Sequence, residues 1–204
     1  MSRLSASSTP RLTAALLLTL LGGGAASTLT AQSKPDFVKA DVDYMQGMIV
    51  HHAQALEMCV MAPSHGASDR VALFCKKVMI SQRDEINQMA GWLKARGQAF
   101  PDTAAGSDMP GMVMKGPTLM PGMLTPAQMT TLGQAHGTTW DSLFLVDMIQ
   151  HHTGAIGMVK TLFDANGGQE PEIFGYATGV DNDQRAEIDR MQKLLTTYQR
   201  SSPQ

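Results

Sequence analysis

The sequence is short of cysteine and of net charge, and it has one long apolar run at most. Its 204 residues contain 2 cysteines, too few for a disulfide-rich scaffold. The 16 basic and 18 acidic residues leave a formal net charge of -2, which gives no support to a nucleic-acid-binding protein. A hydrophobic fraction of 43% excludes a disordered chain, and the composition is not that of collagen or of a multi-span membrane protein.

Methionine is the residue that the chain has in excess. There are 16 methionines beside 2 tryptophans and 2 cysteines, and aromatic residues make up only 5% of the chain. Thioether sulfur is a soft ligand that favours monovalent copper. The composition therefore directs attention to sulfur chemistry.

Residues 1–31 have the pattern of a secretory signal peptide. Arg3 and Arg11 supply positive charge before an apolar run from Leu12 to Leu21, and small residues follow the run. A single membrane anchor is the alternative, but the run is about half of the ~20 residues that a span needs. We therefore predict a periplasmic or secreted protein that has no membrane segment after signal removal and that works in an oxidising compartment.

An internal repeat organises the rest of the chain. Residues 41–58 read DVDYMQGMIVHHAQALEM, and residues 141–158 read DSLFLVDMIQHHTGAIGM. A second match follows in the same order, with QRDEINQM at 82–89 and QRAEIDRM at 184–191. Two matches in the same order indicate a duplicated structural unit.

Each unit is expected to be a hairpin of two helices. Pro63 ends the first helical stretch, a turn of small residues follows, and Gly97 ends the second helix. Two hairpins pack most simply as a four-helix bundle, so the predicted fold class is all-α. Within one domain we place hairpin repeat 1 at 32–97, a Met-, Gly- and Pro-rich linker with a short helix at 98–137, and hairpin repeat 2 at 138–204.

In each unit a methionine precedes a pair of histidines by one helical turn. These residues are Met48, His51, His52, Met148, His151 and His152. At about 100° per residue the thioether lies below both imidazoles and between them. Imidazole and thioether together suit copper, whereas zinc and magnesium have no special use for methionine.

The second helix of each hairpin is expected to add ligands. With the first turn centred near residue 67, Glu85 and Met89 reach the neighbourhood of the first histidine pair, where Met45 supplies a further thioether. Glu187 reaches the second pair in the same way, whereas Leu145 replaces the extra methionine. The predicted metal ligands therefore include carboxylates from both hairpins.

The linker holds methionines among glycines and prolines, where they contribute little to a core. Met120 and Met123 precede the short helix, and Met109, Met112 and Met114 lie further upstream. Long irregular loops are commonly functional. We predict that these thioethers capture Cu(I) in a labile way.

Structural interpretations of the same residues stay open. Methionine at helical spacing commonly fills a core, and a buried histidine can hydrogen-bond a neighbouring helix through Gln82 or Glu85. Arg83 and Arg185 could likewise form interhelical salt bridges.

The two cysteines lie level with each other across the first predicted hairpin. In an oxidising compartment a disulfide between Cys59 and Cys75 is the favoured interpretation, worth ~3 kcal/mol for a loop of about fifteen residues. Thiolate ligation is the alternative, because Cys59 lies on the same helix as the first histidine pair. The second unit has Val159 and Ala177 at these positions, so a shared metal site would not need the thiols.

These features resemble the family called domain of unknown function 305. Its hallmark helix, Phe-Leu-x-x-Met-Ile-x-His-His, stands here as FLVDMIQHH at 144–152, and the Met-Pro-Gly-Met lead-in stands at 120–123. The first unit departs from the hallmark, with Tyr44 and Met45 in place of Phe-Leu. The resemblance implies a ferritin-like four-helix fold. Since members that bind copper in the bacterial periplasm are known, it also implies metal binding by the two Met-x-x-His-His segments.

The leading prediction is an exported copper-binding protein that sequesters or delivers the metal, with Cu(I) favoured over Cu(II). Copper-handling proteins are the expected partners besides the ion. A non-catalytic helical interaction module with structural histidines is the alternative, because methionine surfaces adapt to varied partners. A ferritin-like metal-dependent oxidoreductase ranks below both, since the chain has no Glu-x-x-His motif, and we expect no enzyme activity.

Overall fold

A computed structural model describes residues 37–101 and 119–201. Within these ranges the chain forms five α-helices and no strand. The helices are α1 (Lys39–Val60), α2 (Asp69–Ala95), α3 (Pro126–Gln134), α4 (Gly137–Asp164) and α5 (Pro171–Ser201). In the part of the chain described, no helix has both the length and the hydropathy that crossing a membrane requires. The predicted signal peptide, as well as Met109, Met112 and Met114, lies outside the described residues.

Local signals in the sequence begin and end the helices. Ser68 caps α2 by accepting a hydrogen bond from the N–H group of Val71 at 3.4 Å. Thr125 caps α3 and exchanges hydrogen bonds with Gln128, and proline follows the cap directly. Gly66, in the turn between α1 and α2, has a φ of 68°, a conformation that favours glycine. The hairpin turns therefore lie where the sequence predicts them.

The four long helices form a bundle of two hairpins, as the repeat predicts. α1 pairs with α2 and α4 with α5, and the hairpins meet chiefly through α1 and α4. α3 packs against α4. Two apolar clusters fill the interior, one including Ile49 and Trp92 and the other Trp140 and Phe144. The all-α four-helix fold is confirmed.

Two buried aspartates at equivalent places in the repeat tie the hairpins together. Asp41 of α1 accepts a hydrogen bond from the N–H group of Gly168 at 2.6 Å, in the turn between α4 and α5. Asp141 of α4 accepts one from the N–H group of Ser68 at 3.2 Å and one from the Tyr198 hydroxyl at 2.7 Å. The first helix of each hairpin thereby holds the turn of the other.

The buried ion pair between the hairpins uses an arginine other than those the sequence singled out. Arg185 binds Asp181 within α5 at 2.8 Å, so this salt bridge is not interhelical. Arg96 at the end of α2 instead pairs with Glu170 just before α5, and both side chains are 5% exposed. Glu170 also accepts a hydrogen bond from the Trp92 indole at 3.1 Å.

Candidate metal centre

Four histidines meet where α1 crosses α4. His51 and His52 come from α1, His151 and His152 come from α4, and all four are 0% exposed. The ring centroids of His51 and His151 are 3.8 Å apart, with 39° between the ring planes. Within each pair the centroids are 6.3 Å apart on α1 and 6.1 Å apart on α4. The duplication thus brings the two predicted pairs into one histidine centre.

Backbone carbonyls determine the tautomer of the two central histidines. A carbonyl oxygen only accepts hydrogen bonds, so Nε2 of His51 donates to the carbonyl of Pro121 at 3.0 Å. Nε2 of His151 donates in the same way to the carbonyl of His51, also at 3.0 Å. In a neutral ring with its proton on Nε2, the free lone pair is on Nδ1.

Carboxylates hold the two outer histidines. Nε2 of His52 lies 2.5 Å from Glu85 of α2, and Nε2 of His152 lies 2.7 Å from Glu187 of α5. Both glutamates therefore reach the pairs near which the hairpin register placed them. A metal-binding histidine usually donates its second ring nitrogen to a carboxylate or carbonyl, because this bond orients the ring and raises its basicity.

Burial favours the neutral form of three rings of the centre, those of His51, His151 and His152. Burial, together with the neighbouring His52, lowers the pKa of His51 to about 3. Burial also lowers the pKa of His151 well below its ordinary value, and it lowers the pKa of His152 despite the opposing bond to Glu187. Neutral imidazoles keep a lone pair available for a metal ion near neutral pH.

Nδ1 of every histidine in the centre is buried and has no hydrogen-bond partner among the residues described. Buried polar atoms are nearly always paired, so four unpaired nitrogens at one place need an explanation. In the same described ranges, no three His, Cys, Asp or Glu side chains are arranged to hold one metal ion together. A metal site here would therefore combine imidazole with a ligand of another type.

Thioethers are the other ligand type that the core contains. Met48 and Met148 are 0% exposed and lie one turn before the histidines of their helix. Met45 and Met89 are equally buried and share an apolar cluster with Met48, whereas Met148 belongs to the second cluster. Such burial is expected both of core packing and of metal ligation.

A tight loop before α3 closes one side of the centre. Pro121, which accepts the hydrogen bond from His51, passes so close to α4 that a Cβ on Gly154 would lie 1.9 Å from its carbonyl oxygen. The side-chain amide of Gln54 in α1 accepts a hydrogen bond from the N–H group of Leu124 at 2.7 Å and donates one to its carbonyl at 3.0 Å. The loop is thus fixed to both helices that carry the histidines.

The two predicted linker ligands that the structure describes lie in this loop. Met123 is 6% exposed. The sulfur of Met120 lies against Gly47, one turn before His51 on α1, and the methyl group of Met158 reaches the same glycine. Since Gly47 has no side chain, thioethers fill the space beside the centre.

Two duplicated glutamines lie about one turn before the glutamates that hold the outer histidines, although the sequence suggested no ligand role for them. Gln82 and Gln184 are each 1% exposed. Both amide atoms of Gln82 and the amide oxygen of Gln184 lack a partner among the residues described. His52 binds Glu85 and not Gln82, the other partner that the sequence suggested. The sequence did contain a signal for them, because the repeat has glutamine at this position in both units, three residues before a glutamate.

The two halves of the centre differ in polarity. Near Glu85, the hydroxyls of Tyr44 and Tyr176 are buried without a partner in the described ranges, and burial raises the pKa of both phenols. At the equivalent places in the other half are Phe144 and Phe74, with ring centroids 6.4 Å apart. The half that contains Glu85 is therefore the more polar one.

The predicted disulfide is not formed in the structure. Cys59 and Cys75 are buried free thiols that lie near each other across the α1–α2 hairpin, where burial and the neighbouring Cys75 raise the pKa of Cys59. The hairpin register brings the two sulfurs together, as expected, but a covalent bond also needs an oxidant, which the register does not determine.

The fold and the centre define an all-α four-helix-bundle protein with buried, duplicated histidine pairs. The chain belongs to the family described as domain of unknown function (DUF305), whose model matches residues 41–195. Among curated proteins, no relative matches the chain.

Solved structures share this fold. A DUF305 fragment from Deinococcus radiodurans is 27% identical, with 80% of this chain and 99% of the fragment covered and a TM-score of 0.66. A DUF305 protein from Streptomyces coelicolor, itself only predicted to be secreted, is 28% identical, with 78% and 93% covered and a TM-score of 0.65. CopM in its Cu(I)-bound form is 22% identical, with 78% and 96% covered and a TM-score of 0.59. CopM has also been solved with Cu(II) and with silver.

Proposed function

We propose that this protein is an exported copper-binding protein that holds the metal at the histidine centre. The four buried Nδ1 atoms carry this proposal, because each is on a ring whose Nε2 donates to a carbonyl or a carboxylate. That is the usual arrangement of metal-binding histidines. A purely structural histidine would leave its second nitrogen unpaired in the core, which is unfavourable.

Copper fits the available ligands better than other common metal ions. Three imidazole, thiolate or carboxylate groups do not converge within the described residues, so we assign the remaining ligands to the buried thioethers of Met48 and Met148, one helical turn before the histidines. Imidazole with thioether selects copper, and thioether favours Cu(I). CopM, which has the same fold, has been solved with Cu(I), Cu(II) and silver, and this supports the choice of metal.

Sequestration or delivery is the role that suits a centre closed to solvent. All four histidines are fully buried, and the loop that carries Met120 and Met123 lies over one side. In our proposal these thioethers take up Cu(I) first and pass it to the imidazoles by ligand exchange. Copper then leaves to copper-handling partners, and the protein catalyses no reaction.

Replacing His51 and His151 with glutamine tests the proposal. The glutamine amide nitrogen takes a place close to that of Nε2, so it still donates to the carbonyls of Pro121 and His51 while the Nδ1 ligand is lost. In a competition titration of the exported protein, we expect Cu(I) affinity to fall at least about 100-fold. Helicity should stay unchanged.

The exposed His136 provides the matched control, since it lies outside the centre. His136→Gln is expected to leave Cu(I) affinity unchanged. If the double variant binds Cu(I) as tightly as the wild type, the histidines of the centre are structural and the proposal is wrong.

A further inference from the structure

Cys59 and Cys75 form a pair of sulfurs that the histidine centre does not use. They lie on α1 and α2, are 1% and 2% exposed, belong to one buried cluster, and are close enough for Cys75 to raise the pKa of Cys59. Their surroundings are soft and apolar, because Met58, Met191 and Phe74 belong to the same buried cluster.

The repeat shows that this fold does not need sulfur at these positions. In the second hairpin the equivalent residues are Val159 and Ala177, which are 4% and 0% exposed. Aliphatic side chains thus fill in one hairpin the place that two thiols fill in the other. The property that sets the thiols apart is their capacity to bind soft cations once deprotonated.

We propose that Cys59 and Cys75 form a second site, which binds one monovalent soft cation, Cu(I) or Ag(I), between the two sulfurs. As the ion enters, one thiol loses its proton to solvent, so that its S–H bond is replaced by a metal–sulfur bond, and the other sulfur binds the ion as a neutral thiol. One thiolate with one neutral thiol balances the charge of a monovalent ion, so no net charge is added to the core.

The same surroundings disfavour divalent ions. Zinc takes four ligands, and although Glu187 lies near enough to act on Cys59, no three His, Cys, Asp or Glu side chains in the described part of the chain are arranged to hold one metal ion. Two sulfurs suffice only for an ion that accepts two ligands, as the monovalent soft ions do. This site uses its own sulfurs and does not depend on the copper-binding role proposed for the histidine centre.

The test compares the reduced wild-type protein with a Cys59→Val/Cys75→Ala variant. These substitutions copy Val159 and Ala177 of the second hairpin, so we expect the variant to keep its fold, as judged by circular dichroism. Cu(I), and separately Ag(I), is titrated without oxygen against a competing chelator. The variant should bind one equivalent fewer than the wild type and lack the ultraviolet charge-transfer absorption of a metal thiolate.

Equal stoichiometry in the two proteins, with both wild-type thiols shown to be reduced, would overturn the proposal. A single Cys75→Ala variant gives a second test with less change to the core, and it should lose the same equivalent. The His51→Gln/His151→Gln variant separates the two sites, because it should retain the sulfur-dependent equivalent. If that histidine variant binds like the wild type while the cysteine variant loses one equivalent, the histidine proposal fails and the dithiol site stands.

Discussion

At the scale of single residues, burial decides what a polar side chain contributes. Asp41 and Asp43 lie on the same helix two positions apart. Asp41 is 2% exposed and accepts hydrogen bonds from the N–H groups of Val38 and Gly168. Asp43 is exposed and pairs with Lys39 in solvent, where an ion pair contributes little. The repeat signals the difference, since only Asp41 has an aspartate at its equivalent position, Asp141.

We expect Asp41→Ala to lower the free energy of unfolding by about 2–3 kcal/mol, because two buried N–H groups lose a charged acceptor. Asp43→Ala is the control on the same helix and should change the free energy by less than about 0.5 kcal/mol. Urea unfolding of both variants, followed by circular dichroism, measures the two changes. Similar losses in both variants would contradict the role of Asp41 in joining the hairpins.

At the scale of helices and loops, one glycine of α4, Gly154, determines how closely the loop over the centre can approach. Gly154 lies directly beneath Pro121 and Gly122, whereas a Cβ on Gly157, less than one turn further along, would meet nothing within 4 Å. The loop in turn supplies the carbonyl that orients His51. The close approach of Pro121 to Gly154 therefore helps to fix the position of the carbonyl that orients His51.

Gly154→Ala should displace the loop, destabilise the protein by about 1–3 kcal/mol through overpacking, and weaken Cu(I) binding if the proposed function holds. Gly157→Ala is the matched control and should stabilise α4 by up to about 1 kcal/mol, because alanine is the better helix former. Thermal unfolding of both variants shows whether each substitution lowers or raises the stability of the protein. A neutral or stabilising Gly154→Ala would show that the loop does not depend on this contact.

At the scale of the whole molecule, the duplication places neutral histidines at the middle of the bundle, and this ties stability to pH. The pKa of His51 is about 3 in the folded protein, against an ordinary value of 6.5. Between these values the unfolded chain binds more protons than the folded one, so stability falls as the pH drops from 6.5 towards 3. Asp147 acts in the opposite sense, since burial raises its pKa to about 6.

We expect the metal-free protein to be less stable at about pH 4.5 than at about pH 7.5, with each such histidine contributing up to about 1.4 kcal/mol per pH unit below 6.5. The His51→Gln/His151→Gln variant removes this contribution. The gap in the free energy of unfolding between wild type and variant therefore separates the histidine contribution from that of other acid-sensitive groups. Urea unfolding at the two pH values measures the gap. A gap that does not change with pH would show that these histidines are not buried as neutral rings.

The sequence by itself determined the helices, the two hairpins and the members of the centre. Helical spacing placed each methionine one turn from its histidine pair, and a hairpin with a short turn has a register that brought Glu85 towards His52. The same register brought Cys59 and Cys75 together. These are local relations, in which a few residues of spacing or one turn decide which side chains are neighbours.

Only the tertiary structure decided that the two pairs form a single centre and which atom binds which. The contact between His51 and His151 joins residues 100 positions apart, and it exists because α1 packs across α4. The loop carbonyl of Pro121 then fixes the tautomer that leaves Nδ1 free. Spacing along one helix cannot specify such contacts, because they depend on how separate elements pack and on what the buried core leaves unpaired.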